Sequence, residues 1–205
     1  VKALLRIFAD QIQKQMKNKQ GILISFIVLI LIAALYRIMP RPWGFAPQVA
    51  MALFGGAVIA DKRVAFALPI LSMFISDLIY QVLYNYGGGE IPGFYEGQVT
   101  NYILFALLTV LGFALRDLKV WKIASATIVA PVLFFLASNF FVWQSGGGFK
   151  RPHTFAGLIQ CYNDALPFFR GSLMGTAFFS VLLFGGYFLV RKYRLFSATT
   201  QEFGV

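Results

Sequence analysis

The chain has little of what soluble chemistry needs. Of its 205 residues, one is a cysteine, one is a histidine and eight are acidic, and only 13% carry charge. A lone Cys161 forms no internal disulfide. Neither it nor His153 has a partner at metal-ligand spacing, so zinc and haem chemistry are not expected, and no metal or cofactor is called for. A soluble domain carries roughly 25% charged residues. The shortfall, with 59% hydrophobic residues and a mean hydropathy of +0.71, points to a chain embedded in a lipid bilayer.

Other absences narrow the chemistry. No Gly-rich phosphate loop ending in Lys-Ser/Thr is present, no Gly-x-Ser-x-Gly nucleophile, and no His-Glu-x-x-His pair. No span carries paired carboxylates. An enzyme is therefore not expected, and no catalytic residue is named. The length suits one helical domain without a soluble ATPase beside it.

What is present is a series of six apolar stretches, and the expected fold class is all-α: a polytopic bundle of six transmembrane helices. Residues 1–20 are basic and mildly amphipathic, with Leu5, Phe8, Ile12 and Met16 at helical spacing, as in a helix lying on a membrane surface. Spans are expected at Gly21 to about Met39, Gln48 to Ala60, Val64 to Tyr84, about Val99 to Leu115, about Ile123 to Trp143, and about Leu166 to Val190. The second is short for a ~30 Å hydrocarbon layer. Residues 21–194 form the membrane domain and 195–205 a tail. Loops with three consecutive glycines, Gly87 to Gly89 and Gly146 to Gly148, follow the third and fifth spans.

The net charge of +10 would suggest nucleic acid on a soluble protein. Here thirteen of the 18 basic residues sit in one alternating set of segments: the N-terminus, Lys62-Arg63, Arg116 to Lys122, and Arg191 to Arg194. The other five are Arg37, Arg41, Lys150, Arg151 and Arg170. This is topogenic patterning, not a nucleic-acid footprint, and it puts both termini in the cytoplasm.

Polar residues near the outer ends of the spans are the functional candidates. Asp77 lies roughly 10 Å below the end of its span, at ~1.5 Å rise per residue. An unpaired carboxylate there costs about 2.5–3.5 kcal/mol, so it should face the bundle interior. Gln81 and Tyr84 follow on the same face. That face either lines a ligand cavity or carries an ion pair from Asp77 to Arg37 or Arg170. Asn101 and Tyr102 open the fourth span, and Asn139 and Trp143 close the fifth. Tyr36, Trp43 and Tyr86 lie at the same level. An interfacial aromatic belt accounts for the rings; aromatic faces beside amides also line small-molecule pockets. Arg170 sits within apolar flanks and calls for a partner. Glu90, Glu96, Asn163 and Asp164 read as solvated loop residues. Ala52, Gly56 and Ala60 make a small-residue stripe, repeated by Gly171 and Gly175, for packing inside the bundle or for docking another membrane protein.

Pro47 through Gly56 (PQVAMALFGG), Ser76-Asp77, Ser138-Asn139-Phe140 with Trp143, and Cys161 through Arg170 (CYNDALPFFR) resemble a family of small bacterial membrane proteins of uncharacterised function. The resemblance spans roughly residues 37–190. That family is similar in layout to the substrate-binding S components of energy-coupling-factor vitamin transporters. The resemblance implies six helices, cytoplasmic termini, and an outer ligand pocket closed by external loops. S components commonly dock on their coupling subunit through an Ala-x-x-x-Ala stripe on the first helix; here the stripe lies on the second run.

The expected function is a substrate-capture subunit for a vitamin-like small molecule, with Asp77, Gln81, Tyr84, Asn101, Tyr102, Asn139, Trp143 and Arg170 as ligand residues. ATP hydrolysis would fall to partner proteins. The competing expectation is an accessory subunit of a larger membrane complex, met through Ala52, Gly56 and Ala60. A stand-alone carrier or channel is a third.

Overall fold

The computed structural model describes residues 24–202, with side chains through Lys192. The basic amphipathic segment expected over residues 1–20 lies outside the described residues. Six helices follow in order: α1 (Ile24–Ile38), α2 (Gln48–Val58), α3 (Lys62–Asn85), α4 (Gln98–Phe113), α5 (Val120–Gln144) and α6 (Phe155–Glu202). Among the described residues there is no strand.

Among the described residues, three helices are long and apolar enough to cross a membrane: α3, α5 and the Phe155–Lys192 part of α6. The molecule also differs from a soluble bundle in carrying apolar side chains on its surface as well as in its core. Its flanks expose large apolar side chains, among them Leu31, Val99, Leu107, Val129 and Val181, while Ser72, Ser76, Asp77, Thr109, Thr176 and Ser180 are buried. Polar groups turned inward and aliphatic groups turned outward is the arrangement a lipid solvent demands.

The short α2 is the axis of the bundle. It packs against α3, α4, α5 and α6, and Ala50, Met51, Ala52 and Leu53 are wholly buried. Its close approach to α4 depends on glycine. A Cβ on Gly56 would collide with the Thr109 carbonyl and Gly112, and one on Gly112 with the Leu53 carbonyl. The Ala52–Gly56 part of the small-residue stripe is thus occupied by α4 within the chain, whereas Ala60 is exposed. Arg116, beyond the end of α4, donates to the carbonyls of Gly56 and Ile59 at 3.2 Å. It thereby satisfies carbonyls that the end of α2 leaves open.

Helix termini follow local chemistry. Asp61 caps α3 by accepting from the Arg63 and Val64 amides, as short acceptor side chains do. Gly97 opens α4 with φ +85°, a left-handed conformation that costs glycine little. At the same end of the molecule as Arg116, Asp117 accepts from the Lys122 ammonium at 2.8 Å, which holds its carboxyl below the usual range.

The sixth helix departs from expectation. It begins at Phe155, not near Leu166, and runs through Pro167. The segment from Thr154 to Asp164 carries Asn163 and Asp164 and reads as loop by polarity. Both instead lie in the helix, Asn163 exposed and Asp164 ion-paired with Arg151 of the loop after α5.

Candidate functional site

The chain reverses between α1 and α2, α3 and α4, and α5 and α6, so these three connections meet at one end of the bundle. Lys62, Arg63, Arg116, Lys119 and Lys122 lie at the other. The connection over 39–47 crosses α6 closely: Gly44, at φ +75°, would drive a Cβ into the Phe168 carbonyl, and Gly171 would meet the Trp43 carbonyl. Trp43 stacks on Phe168 with ring centroids 5.4 Å apart.

Beneath these connections lies a cavity of about 380 Å³. That volume falls within the roughly 300–1,000 Å³ of small-molecule sites. Its aromatic wall is built by Phe105, Phe134, Phe135, Phe168 and Phe169, with Phe149 contributed by the loop after α5. Phe135 and Phe169 approach to 4.7 Å between centroids, and Phe105 and Phe134 to 4.8 Å. Polar atoms come from Arg37, Gln48, Asn101, Ser138, Asn139 and Asp164. Cys161 also lines the cavity and lies 3.6 Å from the Asn139 carbonyl.

A buried polar network props the cavity from one side. The Asp77 carboxylate is 1% exposed and forms an ion pair with Arg37. It also accepts from Gln98 Nε2 and, at 2.6 Å, from the Tyr102 hydroxyl. Arg37 donates further to Ser76 Oγ at 2.6 Å, and Tyr80 donates to the Arg37 carbonyl at 2.6 Å. Gln98 Nε2 also reaches the Gly93 carbonyl at 3.0 Å. Gly93 rests against the α3 backbone so closely that a Cβ would overlap the Asp77 carbonyl. The loop over 86–97 is thus fastened to the network, and Gln81 fastens it again by accepting from the Phe94 amide at 3.1 Å.

The loop between α5 and α6 is fastened independently. Arg151 grips Asp164 with two hydrogen bonds of 2.8 and 3.0 Å, which raises the guanidinium's proton affinity further. Trp143 donates to the Pro152 carbonyl at 2.9 Å. Between the two loops a groove of about 540 Å³ shares Tyr95, Asn101, Ser138, Val142 and Gly148 with the cavity. Asn101 donates to the Tyr95 hydroxyl at 2.7 Å, at the junction of groove and cavity.

The eight residues singled out from sequence therefore divide. Asn101 and Asn139 line the cavity. Asp77 and Tyr102 lie in the supporting network. Gln81 and Trp143 hold the loops. Tyr84 is 47% exposed, and Arg170 is exposed with no ion pair among the described residues; the cation beside Asp77 is Arg37. Sequence reasoning missed Gln48, Gln98 and the phenylalanine wall. Gln48 had a signal, as the amide at the head of an apolar run just after Pro47.

These features define an all-α bundle with membrane-length helices and a roofed, aromatic-walled cavity at one end. Residues 17–199 match a family of unknown function, DUF6580, and the chain belongs to it. No curated protein and no solved structure matches the chain.

Proposed function

We propose that this protein is a six-pass subunit of a bacterial cytoplasmic membrane that captures a vitamin-like small molecule from outside. The observation that carries this reading is the position of the cavity. It lies at the end of the bundle away from Lys62, Arg63, Arg116, Lys119 and Lys122, and two tethered loops cover it. Under the positive-inside rule that end faces outward and both termini face the cytoplasm. The three shorter helices α1, α2 and α4 complete the six crossings, with α2 spanning only part of the layer. Phenyl rings supply area for a ring compound, and Gln48, Asn101, Ser138 and Asn139 supply orientation. On this reading the chain works as an S component does, and release to the cytoplasm falls to an ATP-hydrolysing partner.

The second reading, an accessory subunit of a membrane complex, draws on a different surface. On α6, Gly185 and Gly186 have open space where a Cβ would project, beside exposed Val181 and Leu182. Small residues of this kind admit a neighbouring helix.

Native mass spectrometry after gentle extraction from the source membrane separates the two. A small-molecule adduct on the single chain supports capture. Stoichiometric protein partners without an adduct support the accessory role and sink capture.

A further inference from the structure

Gln48 is 3% exposed and lines the cavity, yet its Nε2 has no hydrogen-bond partner. An unsatisfied buried amide is costly, so one that lines a cavity marks a place for an acceptor on a ligand. The backbone repeats the pattern at the same spot. Gln48 is the first residue of α2, preceded by Pro47, and no side chain caps the helix. First-turn N–H groups have no intrahelical acceptor, and the helix dipole gives that end a partial positive charge. Gln48 and Val49 both line the cavity, so the unpaired amide and the first turn of α2 lie at one pole of it.

The charges of the lining limit what those donors can take. Arg37 is paired with Asp77, and Asp164 is gripped by Arg151. Each lining charge already has its counter-ion, so the cavity presents donors and rings without a spare full charge. A carboxylate buried there would gain only the partial charge of the helix end and no unpaired cation, too little to offset the water it loses. A carbonyl oxygen loses much less on entry and gains the donors.

We infer that the cavity selects an uncharged ring compound, with Gln48 and the first turn of α2 holding its carbonyl oxygen against the phenylalanine wall. This rests on the capture reading and names its substrate class.

The test titrates the full chain in detergent with two probes that differ in charge, 2-naphthamide and 2-naphthoate. Wild type should bind the amide at least tenfold more tightly than the acid. Gln48→Met should lose at least tenfold in amide affinity while melting no lower than wild type, because an unsatisfied amide has been replaced by an apolar side chain of similar length. Should Gln48→Met not fold, Gln48→Leu serves the same comparison. The inference is overturned, with capture left standing, by any of three results. These are acid binding as tight as amide binding, an unaltered affinity in the variant, or no binding of either probe by a chain that carries a native adduct. Absence of any adduct on wild type overturns both.

Discussion

Asp77→Asn tests the network that supports the cavity. The carboxylate is 1% exposed and Arg37 is 16% exposed at its side chain, so the pair is shielded from water. Were it a solvated surface pair, removing the charge would cost about 0–1 kcal/mol. Breaking a buried pair leaves an uncompensated charge and costs about 3–5 kcal/mol. The substitution keeps the shape, and an amide oxygen still accepts from Tyr102, so the lower part of that range is expected. Reversible unfolding in mixed micelles, followed by circular dichroism, measures it. The same titration on Arg37→Met and on the double variant gives a coupling, for which residues in one network show about 0.5–3 kcal/mol. The double variant should therefore be less damaged than the two single effects together. Because Gln98 joins Asp77 to the Gly93 carbonyl, the loop over 86–97 should also become more sensitive to protease. A loss below about 1 kcal/mol, or strict additivity with Arg37→Met, would refute this reasoning.

Three further outcomes follow from the packing. Gly56→Ala pushes a methyl group into the α4 backbone and should cost about 1–3 kcal/mol, as overpacking does; unaltered detergent stability would contradict the α2–α4 approach described above. Asp164→Asn removes the charge that Arg151 grips. It should speed proteolytic cleavage between Gln144 and Thr154 while leaving helix content unchanged by circular dichroism. Asn139→Ala removes an amide from the cavity wall and should weaken retention of a native adduct without lowering yield. Retention equal to wild type would remove Asn139 from the proposed site.

Much of the helical framework was legible because apolar run length and breakers are strong signals. Pro40 to Pro47, Gly87 to Gly89 and Gly146 to Gly148 mark the three connections that roof the cavity. Asp77 was legible as an interior residue because the cost of leaving it in lipid is large. Its cation was not fixed by sequence, since Arg37 and Arg170 sit at similar levels and only packing separates them. The start of α6 was hidden because Asn163 and Asp164 look like loop residues until Arg151 is seen paired with Asp164. The phenylalanine wall was invisible for a deeper reason. In a bundle whose lipid face and core are both apolar, the helical hydrophobic period fades, and Phe135 reads no differently from Phe141. Gln48 carried a signal by type that was not taken up, and its missing partner is a property of the fold.

The most direct test of the central claim uses Cys161, the chain's one cysteine, which already lines the cavity. A small, membrane-impermeant methanethiosulfonate reagent is added to right-side-out and to inside-out membrane vesicles, and the modified fraction is read by mass. The account predicts modification from the outer face and not from the cytoplasmic face. Modification from the cytoplasmic face alone would contradict a cavity that opens outward.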